Sequence, residues 1–406
     1  MKNGRLGTLM LMLAALLLGL PVMTTGVRAD PTRLSAQIMA GDRAAGDNYG
    51  FAVALSANGR TALVGLRGRG SYSGAVSVLT KVNGGWNETN RLTPHIVSAG
   101  DFFGSSVAIS ADGTTAVVGA YSANGRAGAA FVFSQVSGAW LQTATLTAPD
   151  GKGGDSFGIT VALSGDGNTA VVGAPNAANV GAVYVFNKGE SDWGAPSRLT
   201  AGDAGARDAF GVSLAISANG STVIVGATGR NGNAGTAYIF RQATAGWSQT
   251  AQLSAGDGMA GDFFGLSVAI NADGSAVAVS APNSAFYRGA VYVFSYTETS
   301  WVQSVSLAAT DGATNDRFGN SVSLSGDGSV LVVGAPNKNG QTGATYVFGR
   351  VGSRYGAYTQ QSALIANDAV ANDRYGIAVA VSANGDTALV GASEKNAAAG
   401  AVYLYG

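Results

Sequence analysis

Residues 103–146 carry a hydrophobic pattern that sets the scale for the whole chain. From Ser105 to Ser110, Val107 and Ile109 alternate with small or polar neighbours. That is the two-residue period of a half-buried strand. Ala111-Asp112-Gly113 follows, and an Asp-Gly or Asn-Gly pair signals a tight hairpin because its turn needs positive φ. Thr115–Ala120 predicts a second strand, Gly128–Phe133 a third, and Trp140–Leu146 a fourth. A loop of Asn, Gly and Arg separates the second from the third, and a Ser-Gly turn separates the third from the fourth. Trp140 and Leu146 lie an even number of residues apart, so both are expected on one face of their strand. Helical periodicity is absent beyond residue 30.

The same unit recurs along the chain. An Asp-x-Phe/Tyr-Gly tetrad begins at Asp47, Asp101, Asp155, Asp208, Asp262, Asp316 and Asp373, with spacings of 54, 54, 53, 54, 54 and 57 residues. Nine residues after each aromatic stands the turn pair, at Asn58, Asp112, Asp166, Asn219, Asp273, Asp327 and Asn384. The Trp/Leu spacing returns as Trp86/Leu92, Trp193/Leu199, Trp247/Leu253, Trp301/Leu307 and Tyr358/Leu364. A four-stranded antiparallel unit of this length is a propeller blade. The predicted fold is therefore all-β: a seven-bladed β-propeller of four-stranded antiparallel blades. The first strands are rich in Gly, Ser and Ala, which suits a crowded axis, and the Trp-bearing fourth strands suit the wide rim.

The two ends complete each other. The chain stops after a third strand, Gly400 to Tyr405, while residues 32–38 read as an orphan fourth strand. Ile38 precedes Asp42 by four residues, as Leu146 precedes Asp150. Strand 32–38 is thus expected to complete the last blade, removing the sheet edges and closing the ring. With no Cys, closure cannot rest on a disulfide.

Residues 1–29 have the features of a secretory leader. Lys2 and Arg5 precede the apolar run Leu6–Leu20, and Val27-Arg28-Ala29 offers a cleavage site. Residues 30–406 then form the propeller, exported to a periplasmic, secreted or cell-surface location, with no insertion in a membrane after cleavage. Setting aside Lys2, Arg5 and Arg28, 21 basic residues face 24 acidic ones. Nucleic acid is not an expected partner, because its binding calls for a concentrated basic field. A monomer is expected.

The motifs resemble the FG-GAP repeat of the integrin α-chain propeller. The first half is Phe103-Gly104, Phe157-Gly158, Phe210-Gly211, Phe264-Gly265 and Phe318-Gly319, with Tyr49-Gly50 and Tyr375-Gly376 as variants. The second is Gly173-Ala174-Pro175 and Gly334-Ala335-Pro336; Ser280-Ala281-Pro282 and Gly119-Ala120-Tyr121 come close. The resemblance covers all seven units and points to the exported bacterial members of the family. It implies a seven-bladed propeller that binds ligands on the face carrying the second-to-third-strand and fourth-to-first-strand loops. Calcium-binding blades of that family carry Asp-x-Asp-x-Asp-Gly between the first two strands. Here that place holds only a turn such as Ser110-Ala111-Asp112-Gly113, too few oxygens for Ca²⁺. No metal or other cofactor is expected.

Three groups of residues could carry chemistry. The tetrad Asp pairs with a second Asp five positions earlier, as in Asp42/Asp47, Asp150/Asp155, Asp203/Asp208, Asp257/Asp262, Asp311/Asp316 and Asp368/Asp373; the second unit has Ile96 instead. Such a pair could hold a metal or act as acid and base, but strict repetition favours a structural cap on the loop. His95 is the only histidine, which excludes His/Cys metal sites and His-based triads. A sialidase-type Asp box is not met, since Gly follows Asp directly in these turns and no Trp follows. The least repetitive segments are the second-to-third-strand loops. They hold Arg67, Arg69 and Tyr72; Tyr121 and Arg126; Arg230; Phe286, Tyr287 and Arg288; Lys338; Glu394 and Lys395. Loops on a rigid scaffold collect binding residues, and aromatics with Arg are common interface anchors. The sequence thus predicts a non-catalytic binding or adhesion module with Tyr72, Tyr121, Arg230 and Phe286–Arg288 as ligand-binding residues and a protein or glycan as partner. The alternatives are a multivalent lectin with pockets between blades and a glycoside hydrolase on a propeller scaffold.

Overall fold

The computed structural model describes residues 31–190, 192–353 and 356–406. The leader expected over residues 1–29 lies outside them. Among the described residues there are seven four-stranded antiparallel sheets. Blade 1 comprises Tyr49–Leu55, Thr61–Leu66, Ala75–Val82 and Gly85–Leu92. Blade 2 comprises Ser106–Ile109, Thr115–Ala120, Ala129–Val136 and Ala139–Leu146. Blades 3 to 7 repeat this order, with inner strands Thr160–Leu163, Phe210–Ile216, Val268–Ile270, Ser321–Leu324 and Ala378–Val381.

The ring closes as the sequence predicts. Leu34–Ile38 pairs antiparallel with Ala401–Tyr405, placing Gln37 opposite Tyr403 and Ile38 opposite Val402. It is the outer strand of blade 7, and the Gly406 N–H adds a bond to the Arg33 carbonyl at 2.9 Å.

Two circuits of backbone hydrogen bonds run round the axis and bind blade to blade. On one face the hairpin turns join in a closed circle. Ala57 N–H donates to Ala111 O, Ala111 to Gly165, Gly165 to Ala218, Ala218 to Ala272, Ala272 to Gly326, Gly326 to Ala383, and Ala383 back to Ala57, all at 2.8–3.0 Å. On the other face the aromatic of each tetrad donates its N–H to the loop of the preceding blade. Phe103 bonds Ser73 O at 3.1 Å, and Tyr49 completes the circle on Ala399 O at 3.2 Å. The approach is so close that a Cβ on Gly74 would stand 1.9 Å from Phe103 O. With φ at +89° as well, only glycine serves there.

The turn pairs act as read. Ser110 Oγ donates to Asp112 Oδ1 and accepts the Thr115 N–H at 3.0 Å, and Ser164, Ser217, Ser325 and Ser382 repeat the arrangement. Hydrophobic clusters lie between adjacent blades, so the second and third strands are buried on both faces. The tetrad aromatics sit deepest: Phe103 meets Phe131 and Phe133 edge-on, with centroids 5.7 and 5.9 Å apart.

Two expectations fail for physical reasons. Trp140 and Leu146 face opposite sides: Trp140 packs against the cluster shared with blade 1, Leu146 within that shared with blade 3. A bulge between Val132 and Phe133 sets an extra residue in the outer strand, which reverses the alternation. The same break occurs in blades 1, 4, 5 and 6. The outer strand of blade 3 is only Ser197–Leu199, after Pro196, which lacks the N–H a ladder needs.

Candidate functional site

The second-to-third-strand loops share one backbone device, a turn of consecutive residues with positive φ. Asn124, Gly125 and Arg126 have φ of 53°, 67° and 70°; Asn231, Gly232 and Asn233 repeat it at 51°, 67° and 67°. Asn and Gly tolerate this region, whereas other side chains meet the backbone at a cost of about 1–2 kcal/mol per residue. Blade 5 departs furthest from that economy, beyond the Ser71, Ala178 and Ala397 of blades 1, 3 and 7. Its turn is Ala285, Phe286 and Tyr287, at 50°, 59° and 64°. Phe286 stands where Gly125, Gly232 and Gly340 stand and is 84% exposed. Bulky residues at positive φ also hold the variable position of the tetrad, as at Phe102 and Phe263, so it is the exposure of Phe286 together with its φ that sets it apart.

The structure groups the predicted residues differently. Tyr72 and Tyr121 are joined through Phe102: Tyr72 lies 5.2 Å from the Phe102 ring, and Phe102 stacks on Tyr121 at 5.1 Å and 15°. Beside them the Arg67 guanidinium lies 3.5 Å from the centroid of Phe51, which lines the mouth of the axial channel. Burial pulls Arg67 below its ordinary value, with Tyr121, Glu394 and Tyr72 acting the other way. It stays charged, and its Nε has no hydrogen-bond partner. Tyr287 sits under Arg317, 5.6 Å from the ring centroid, and Arg288 donates to the Gly312 carbonyl at 2.8 Å.

Arg230 leaves this set. Its guanidinium bonds Asp203 at 2.6 Å and Asp208 at 3.0 Å, so the loop residue is a strut. Arg69, Lys338 and Lys395 bridge Asp42/Asp47, Asp311/Asp316 and Asp368/Asp373 in the same way. The inner Asp of every blade also caps its own loop. Asp47, Asp101, Asp155, Asp208, Asp262, Asp316 and Asp373 each accept the N–H three residues earlier, at 2.6–2.9 Å. The outer Asp accepts a tyrosine hydroxyl in five blades, from Tyr184, Tyr238, Tyr292, Tyr346 and Tyr403. Burial and the Asp150 contact push the Tyr184 hydroxyl up to about 12. Burial raises Asp311 and Asp368, but hydrogen bonds from tyrosine and lysine outweigh it and hold both below the carboxylate range.

Phe51, Phe102 and Arg317 were not singled out by sequence reasoning. Phe102 and Arg317 fill the variable position of the tetrad, whose residues all have positive φ, from Asn48 to Arg374. Arg67 and Tyr121 stand where other blades have the Pro of Gly-Ala-Pro. Departures from the repeat at these two positions were the available signal.

No cluster of three or more metal-ligating side chains is present among the described residues. No helix among them is long and apolar enough to cross a membrane. The FG-GAP repeat family matches seven segments: 33–79, 86–133, 140–186, 193–240, 247–294, 301–348 and 358–405. The chain therefore belongs to the FG-GAP repeat family. Each match starts with the outer strand of one blade and runs through three strands of the next, the phase that the ring closure requires. No curated protein matches the chain.

Proposed function

We propose that the protein is an exported, non-catalytic binding module, monomeric and free of cofactors, that presents the loop face to a protein or glycan ligand. The contact residues are Tyr72, Phe102 and Tyr121 with Arg67, and Phe286 and Tyr287 with Arg317. The observation that carries this reading is Phe286, an exposed aromatic held at positive φ where the loops of blades 2, 4 and 6 use glycine. Folding alone gains nothing from that choice. Two further facts support it. The residues that line the axial channel include no Asp or Glu, the pair a hydrolase would need there. The leader pattern at residues 1–29 supports export.

The test combines binding and stability. A glycan array and a pull-down from envelope extract supply the ligand, and the double variant Phe286→Gly/Tyr287→Asn is compared with the parent. Binding should be lost while the unfolding free energy rises by about 1–2 kcal/mol as the backbone strain is relieved. Retained binding overturns the assignment. Stoichiometry separates the ligand classes: about one site for a protein on a single face, several equal sites for a lectin.

A further inference from the structure

Blade 2 is the one unit that keeps only a single member of its polar bracket. In blades 4, 6 and 7 the bracket has four members: two Asp, a Tyr, and a Lys or Arg that lies 22 residues after the inner Asp. At the matching positions blade 2 has Ile96 for the outer Asp, Phe131 for the Tyr and Ala123 for the cation. Only Asp101 remains. It accepts the Ser98 N–H at 2.7 Å, as its sisters do, but the cation that approaches the same Oδ2 in blades 1, 4, 6 and 7 at 2.8–3.2 Å has no counterpart here. Arg126 is no substitute. Its position matches that of Tyr72, and its carbonyl accepts N–H groups from the loop of blade 3.

The exchange opens a cavity. Its volume is about 560 Å³, lined by His95, Ile96, Asp101, Phe131, Gln142 and Thr145 together with the Ala123–Gly125 turn. That is the size of a small-ligand site with apolar walls and a few polar groups. Blades 3 and 5 also lack the cation, having Ala177 and Ser284, but each keeps its Asp–Tyr pair, at 2.6 and 2.8 Å. In blade 3 Arg198 also reaches Asp150, at 3.2 Å.

We propose that the blade 2 cavity binds an alkylammonium group, such as the lysine side chain of a partner protein, with its charge on Asp101 and its methylenes against Phe131, Ala123 and Ile96. The four sister blades show the template, since there the chain's own Lys or Arg fills the equivalent place. Phe131 and Ala123 offer an apolar wall to a methylene stem that ends in a charge. The site is separate from the Phe286 loop, so either assignment can fail without the other.

The lone histidine is a built-in reporter, because His95 lines the cavity. Histidine-labelled, tag-free protein is titrated at fixed pH with n-butylammonium and, separately, with n-butanol, and the ring resonance is followed by NMR. Butylammonium should give a saturable shift, and butanol, lacking the charge, should bind about tenfold more weakly. Asp101→Asn should abolish the shift. Ala123→Lys should abolish it too by installing the cation of blades 6 and 7, and this variant decides the matter where Asp101→Asn fails to fold. The proposal is overturned by an absent shift, by butanol acting as strongly, or by a shift that survives Ala123→Lys.

Discussion

Blade 7 and blade 2 have the same backbone and fill it differently. In blade 7, Lys395 lies between Asp368 and Asp373, the Tyr403 hydroxyl donates to Asp368 at 2.7 Å, and Gln37 of the closing strand donates to it at 2.8 Å. In blade 2 the corresponding side chains are Ala123, Ile96 and Phe131. Both blades keep the capping Asp, the tetrad N–H bond to the neighbouring loop, and a place in the closed circle of turns. The backbone circuits therefore carry the repeat, and the charged bracket is an option laid over it. Where the option is dropped, room for a ligand appears. This is how a repeat protein can vary binding without disturbing the stacking of its units.

The hardest blow to the comparison is to remove the strand that only blade 7 borrows from the far end of the chain. Deleting residues 30–40 takes away Ile38 and Ala40, which pack with Leu404 and Val402 in the blade 7–blade 1 cluster, and exposes a sheet edge. We expect the single cooperative melt to be lost or displaced downward by many degrees, read by calorimetry. An unchanged melting point would show that the ring does not depend on this closure.

Next in size is the bracket itself. Lys395 and Asp373 are both nearly inaccessible, with side chains 5% and 4% exposed. Lys395→Ala leaves a buried carboxylate without its cation, and such losses cost about 3–5 kcal/mol. Denaturant unfolding measures it. A cost below about 1 kcal/mol would mean that blade 7 tolerates the blade 2 arrangement and that the two differ less than they look. Acid offers a milder probe. Asp368 is held below its unfolded value, so its stabilisation is present above about pH 4 and is lost as the pH falls through its folded value. The stability gap between the parent and Asp368→Asn should be constant near neutrality and shrink in acid. Ile96 cannot titrate, so Ile96→Val in blade 2 should give a gap that is independent of pH over the same range.

Much of this architecture was legible in the chain. The tetrad period counted the blades, and the orphan strand at residues 32–38 announced the closure, because both depend on local pattern and ladder pairing. The Trp/Leu parity failed because it assumes an unbroken ladder, and the bulge opposite Val132 and Phe133 breaks it. The bracket was hidden for another reason. Its members come from three segments that meet only when the loop folds back, so Arg230 read as a ligand-binding residue and Lys338 as one more residue of a variable loop. A Lys or Arg at a constant offset of 22 from the inner Asp, in four units of seven, was the trace that could have found it. The aromatic ladder Tyr72–Phe102–Tyr121 was half visible; Phe102 was overlooked because the variable position of the tetrad looks like a spacer.

The smallest effect on stability, and the sharpest test of the comparison, comes from making blade 2 into blade 7. The triple variant Ile96→Asp/Ala123→Lys/Phe131→Tyr restores every member of the bracket around Asp101. The backbone already adopts the required turn, since Asn124 and Gly125 have the same left-handed φ as Asn396 and Ala397. The new ion pairs bring attraction but must be desolvated, and these contributions nearly cancel when partners and hydrogen bonds are complete. The unfolding free energy should therefore change by no more than about 1 kcal/mol. The cavity, by contrast, should close, and n-butylammonium should no longer move the His95 resonance. If stability instead drops by several kcal/mol, the side chains of blade 2 are bound to its own packing, and the view of the bracket as an interchangeable layer on a common backbone is wrong.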